Sequence, residues 1–249
     1  MERPLDRLFK VAKSYIAVLD GQESDSQHDK PSTPYLSVKE PDSALMTLHQ
    51  TLQGAHPETG APYWRIRCWG LACWQPIYLA MICVYQLKTV PLRLQEIEQK
   101  QQGEMVCGYL LPDGAWQEGS HETLIQTASE QLNTLFSSLQ NAHVKTFGGR
   151  AALYQGLLAD QLMSALIAIS SLLPDQHKGR LKGDFTLWAS AMNLPLKALE
   201  GLKHQENEAP MFVRHTCCLH FRRDEGELCS NCPRLHKKKK RDQNVIQCE

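Results

Sequence analysis

The 249-residue chain has little of what most quickly assigns a function. Its net charge is zero, with Lys and Arg balancing Asp and Glu at 27 each, so no whole-molecule field selects nucleic acid. No Gly-x-Gly-x-x-Gly fingerprint follows an expected strand and no Walker-type phosphate loop is present, which argues against a nucleotide bound by the chain itself. His121-Glu122 begins like a zinc-protease helix, but Ile125 stands where the second His would have to be. No apolar run reaches the roughly 20 residues of a membrane span. The most apolar stretch, Leu71–Leu87, is broken by Gln75, Pro76 and Gln86 and reads as a buried helix. Charges run throughout Met1–Asp20, so no secretory signal is expected there.

The periodicity predicts a mainly α protein with a small antiparallel β element, a helical body followed by a short C-terminal cysteine module. Leu5, Leu8, Phe9, Ala12, Tyr15, Ile16 and Leu19 recur at helical spacing and end at Asp20-Gly21. Residues 22–34 and 54–62 read as loops, with a short helix at 43–52 between them. A helix over 65–87 is expected to be interrupted or capped near Pro76. Residues 104–111 predict a strand that turns at Pro112-Asp113-Gly114 and returns through 115–118. Helices are expected over 123–139, with Ser120 as N-cap, over 150–173, and over 185–202 with Pro195 inside. Phe147-Gly148-Gly149-Arg150 reads as a helix-entry turn. The expected divisions are 1–62, a helical and loop region; 63–208, a helical core with a hairpin; 209–235, the cysteine module; and 236–249, a basic tail.

Nine cysteines are present, an odd number in a chain large enough to fold without disulfides, which points to a reducing, cytoplasmic setting. Cys68, Cys73, Cys83, Cys107 and Cys248 are scattered and read as inert. Cys217, Cys218, Cys229 and Cys232 are not: they form Cys-Cys-x10-Cys-x2-Cys. Four thiolates this close point to a metal. A Cys-x2-Cys turn aims two sulfurs at one metal, whereas directly adjacent cysteines in extended backbone point to opposite sides. A strained turn would let the pair chelate zinc; a two-iron cluster gives adjacent thiolates more ways to reach a metal. Spacing leaves both open. Pro233 rather than His after Cys232 excludes c-type haem attachment, and no strand–Cys-x2-Cys–helix context supports a thioredoxin-like dithiol.

Val213-Arg214-x-Thr216-Cys217-Cys218-x-x-Phe221, with Cys229-x2-Cys232 ten residues on, resembles the C-terminal iron–sulfur segment of the FhuF-like ferric-siderophore reductases. The resemblance covers about 20 residues; upstream, the Trp-containing apolar helix is compatible with that family's helical body. His215, where the family often has a second Arg, and the basic run after Cys232 depart from it. The resemblance implies a [2Fe-2S] cluster held by Cys217, Cys218, Cys229 and Cys232. It also implies one-electron reduction of Fe(III) in a siderophore complex in the cytoplasm. An external electron donor (a ferredoxin, flavodoxin or flavin reductase) is then required. No general acid or base is needed beyond the cluster.

Arg214, His215, His220, Arg222 and Arg223 surround the adjacent pair, where they would balance a reduced cluster or simply face solvent. Lys237–Arg241 would steer an anionic partner, touch an anionic face of the inner membrane, or form a solubilising tail. Trp64, Trp69, Trp74, Trp116 and Trp188 are expected in the core or lining a pocket. The competing reading is a helical adaptor whose four-cysteine zinc knuckle and basic tail bind nucleic acid or a membrane. Zero net charge and a basic run without interleaved aromatics speak against it.

Overall fold

The longest apolar stretch becomes the central helix. Residues Ala61–Ile82 form helix α3, and Cys83–Leu87 extend it by a single π-turn closed by Lys88 in the left-handed conformation. Pro76 lies inside α3, yet the helix runs through it. A proline removes one N–H and orphans the carbonyl four residues back, here that of Ala72. The buried side chain of Gln99 fills the gap: its Nε2 donates to Ala72 O at 2.8 Å. The expected interruption is absent because a distant residue supplies the missing donor.

The computed structural model describes residues 2–24, 33–172, 180–203 and 210–236. The basic run Lys237–Arg241 and Cys248 lie outside them. Helices α1 (Pro4–Tyr15), α2 (Pro41–Ala55), α4 (His121–Phe147), α5 (Ala151–Ser170) and α6 (Leu181–Ala191) are the other long α-helices among these residues. The core is continuous from Leu5 through Leu219, with α3 packed against α2, α4 and α5. By length and composition alone α3 with its extension and α5 could cross a membrane, but both bury large apolar faces against other elements.

Ser120 caps α4 as expected, accepting from Thr123 N at 3.1 Å. His121 starts that helix and meets Asp184 of α6 at 3.2 Å in a buried network that also includes Tyr85. Gly148 and Gly149, both at positive φ, make the turn from α4 into α5.

Several sequence expectations need correction. The first helix ends at Tyr15, so Ile16 and Leu19 lie beyond it; Leu19 still reaches the core from extended chain. Strand β1 (Gly21–Glu23) begins a stretch expected to be loop. It pairs in parallel with β4 (Met105–Leu111), whose other neighbour is the antiparallel β3 (Glu98–Gln102). The small sheet is therefore mixed, in the order β1–β4–β3. The hairpin precedes β4 rather than following it, because Gly103, at φ 57°, makes the tight turn. The expected return, β5 (Trp116–Gln117), pairs instead with β2 (Val90–Pro91). Pro195 breaks the helix expected at 185–202: α6 stops at Ala191 and a 3-10 turn covers Leu196–Gly201.

Candidate metal centre

The chain reaches the cysteine module through a two-stranded ribbon, β6 (Leu202–Lys203) against β7 (Met211–Phe212). Gly201 lets β7 cross closely, since a Cβ there would lie 1.9 Å from Val213 O. Arg214 N then donates to Asn231 O at 3.0 Å, tying the two cysteine-bearing ends together.

Asp160 fixes the module to the helical body. It is the single charged residue of α5 and is 2 % exposed. Its carboxylate accepts from His215 N at 2.9 Å and Thr216 N at 2.6 Å, and from the Thr216 hydroxyl in a shorter contact. A buried carboxylate is tolerated when charge-assisted hydrogen bonds of this kind satisfy it. Gly156, one turn earlier on α5, permits the approach: a Cβ there would already press on Thr216 Cγ2 at 3.0 Å. On the far side Arg222 donates to Thr59 O at 3.2 Å, and Arg234 lies over the Phe221 ring at 4.8 Å.

The four thiols lie at one end of the module, and two of them meet directly. Cys218 and Cys229 sulfurs are 3.9 Å apart. Cys217 lies near enough to Cys218 and Cys232 for their charges to act on it, and Cys232 is 1 % exposed. Leu219, at φ 59°, turns the chain from the adjacent cysteines into the 3-10 turn His220–Arg222. Backbone N–H groups serve the sulfurs, Leu219 N that of Cys217 and His220 N that of Cys218. Among the described residues no three His, Cys, Asp or Glu side chains gather as around one ion.

Arg214 organises Cys218 and Cys229. Its Nη2 donates to Cys229 Sγ at 3.1 Å, and its charge also acts on Cys218. Burial raises the Cys218 thiol, but the charge of Arg214 and the hydrogen bonds from His220 N and Cys229 outweigh it and hold Cys218 below the ordinary thiol value. Cys229 is pushed up to about 11, chiefly by burial. Burial likewise raises Cys217. Outside the module, burial raises Cys68, Cys73 and Cys83, which fits their reading as core residues.

These residues fit a two-iron cluster. Two sulfurs on one tetrahedral metal with bonds of about 2.3 Å lie roughly 3.8 Å apart, close to the Cys218–Cys229 separation. Arg214 Nε is buried with no partner among the described residues, a donor in need of an acceptor beside the thiols.

A cavity of about 570 Å³ opens beside Cys218 and Cys229. Helix α3 lines it with Tyr63, Ile66, Arg67, Gly70, Leu71 and Trp74, opposite Leu157 and Gln161 of α5. Trp74 lines it while its indole N–H is held by Val106 O at 2.8 Å, whereas Trp69 and Trp188 are core. Sequence reasoning missed Asp160, whose signal was a lone carboxylate in an otherwise uncharged helix.

No solved structure matches this chain. Residues 214–234 match the family model described as the FhuF 2Fe-2S C-terminal domain, and Cys217, Cys218, Cys229 and Cys232 fit its motif. The chain thus carries a FhuF-type 2Fe-2S C-terminal domain, its cofactor is a [2Fe-2S] cluster, and the match suggests a siderophore-iron reductase.

Proposed function

We propose that this protein is a cytoplasmic ferric-siderophore reductase whose cluster is held by Cys217, Cys218, Cys229 and Cys232. The observation that carries the reading is the gathering of these thiols inside the segment that matches the 2Fe-2S domain, with Cys218 and Cys229 3.9 Å apart at the edge of a cavity. The four cysteines would together hold the two irons, and Cys218 and Cys229 are the two that border the cavity. The match of residues 214–234 to a 2Fe-2S domain favours this reading over the zinc-knuckle adaptor.

The bound cluster supplies one electron at a time. The chain's own residues set where and how readily that happens. Asp160 holds the module against α5, and the buried position of Cys232 shields one end from water. Arg214 and the N–H groups of Leu219 and His220 donate to sulfur, and donors to sulfur favour the more reduced, more negative state. The substrate's Fe(III), held by hard oxygen donors, becomes Fe(II), which those donors hold more weakly, and is released. No proton need move in the electron step. The electron comes from an external donor, a ferredoxin, flavodoxin or flavin reductase.

The test is a single turnover. The anaerobic protein is reduced and mixed with a ferric siderophore in the presence of an Fe(II) trap. The oxidised visible spectrum should return with one Fe(II) trapped per cluster. A reduced spectrum that persists across siderophore classes would count against the reading.

A further inference from the structure

We infer that the cavity beside Cys218 and Cys229 is the chelate-binding site, and that Arg67 selects ferric chelates bearing a carboxylate at their periphery. The inference rests on the reductase reading and adds the docking site and a substrate class. The cavity's volume of about 570 Å³ is in the range of small-molecule sites. Of the four thiols it borders Cys218 and Cys229, so a chelate inside it lies next to the edge of the cluster that these two would hold.

Its lining decides the class. One side is apolar, formed by Ile66, Leu71, Trp74, Met105 and Leu157. No Asp or Glu lines it, and its cations are Arg67 and Arg214. Arg214 is committed to sulfur. Arg67 makes no ion pair among the described residues, and its one side-chain hydrogen bond among them is from Nη2 to Met105 Sδ at 3.7 Å. A guanidinium over an apolar wall, with no acid to neutralise it, is suited to a carboxylate, which it can hold through two parallel hydrogen bonds. Gly70, between Arg67 and Trp74 on α3, leaves the floor open: a Cβ there would meet nothing within 4 Å.

Gallium(III) complexes separate binding from reduction, since gallium is not reduced under these conditions. Binding of gallium(III) citrate, which carries carboxylates, and of gallium(III) tris(acetohydroxamate), which is neutral and carries none, is measured on the full-length, cluster-loaded protein. Calorimetry should show the citrate complex binding more tightly. Arg67→Gln should weaken the citrate complex roughly tenfold, the scale of one charge-assisted contact, leave the hydroxamate complex unchanged, and thus level the two. Gly70→Phe should abolish binding of both while keeping the cluster spectrum, and replacing a helical glycine guards against loss of folding. Lys203→Gln, on the ribbon, should change neither. Equal binding of the two complexes by the wild type, or binding insensitive to Arg67→Gln, would overturn the carboxylate assignment. Unchanged binding in Gly70→Phe would overturn the site itself. Failure of the reductase reading shows separately, as a missing 2Fe-2S spectrum or no reoxidation by any ferric chelate.

Discussion

Asp160, in the middle of α5, accepts the backbone N–H of Thr216 at 2.6 Å, one residue before Cys217. This contact makes the helical body part of the metal centre. Replacing Asp160 with Asn puts an amide N–H against backbone donors. The expected cost is about 3 kcal/mol from lost charge-assisted hydrogen bonds, concentrated in the module. Asp160→Asn should keep the far-ultraviolet signature of the helices but lose most of its iron on gel filtration. Full iron retention would show that the module holds itself together without α5.

Arg214 should set the potential of the centre. Its guanidinium donates to Cys229 beside Cys218, and its charge stabilises the extra electron of the reduced state. Arg214→Gln is expected to lower the midpoint potential by about 60 mV, or about 1.4 kcal/mol for one electron. Redox titration followed at a visible band checks the value; an unchanged potential would make Arg214 a packing residue only.

The cysteines divide into two classes. Cys217→Ser, Cys218→Ser, Cys229→Ser and Cys232→Ser are each expected to lose the cluster. Cys73→Ala and Cys68→Ala should retain it and lose only stability, roughly 1 kcal/mol each for a small buried group, since both are fully buried away from the module. Iron-to-protein ratios across the series decide the ligand set.

Acid should weaken the body through His143. Its ring is fully buried, and Nε2, 3.1 Å from Arg65 O, must donate to that carbonyl. Burial, then the hydrogen bond that partly opposes it, then the charges of His49 and Arg65 leave its value pushed down to about 4. The unfolded chain binds the proton near 6.5, so between these values the unfolded state is the more protonated. The contribution is complete above pH 6.5 and falls away as pH drops towards 4, by about 2.5 kcal/mol at pH 4.5. Denaturant unfolding at pH 7 and pH 4.5 should show this excess loss in the wild type relative to His143→Leu. Equal losses in the two proteins would remove His143 from the explanation.

The bridge from Gln99 to Ala72 O is a sharp test of the fold. Gln99→Leu leaves a buried carbonyl without a donor, at a cost of about 2 kcal/mol. Restoring the missing helix donor with Pro76→Ala should recover part of that loss. Additive destabilisation in the double variant would contradict the assigned role of Gln99.

How much of this was legible in the sequence follows from which forces are local. Period and capping are local, so the Ser120 cap, the α4 core face and the α5 helix could be read directly. The cysteine spacing is local too, and the four thiols could be named before any coordinates. Strand partners are not local: Val90–Pro91 and Gly21–Glu23 are too short to announce themselves, and their pairing depends on chain ends brought together by the helices. Pro76 misled because the donor that rescues its helix lies 23 residues downstream. Asp160 was unreadable as an anchor because its partners are backbone N–H groups 55 and 56 residues away. The 3.9 Å approach of Cys218 to Cys229 was equally hidden, since it joins residues eleven apart through the fold of the module.

The most direct test is metal analysis of the anaerobically purified protein, combined with Mössbauer spectroscopy of an iron-57 sample. Two irons per chain, each in a four-sulfur environment and one becoming ferrous on one-electron reduction, is the expected result. A colourless protein with one zinc per chain would contradict it.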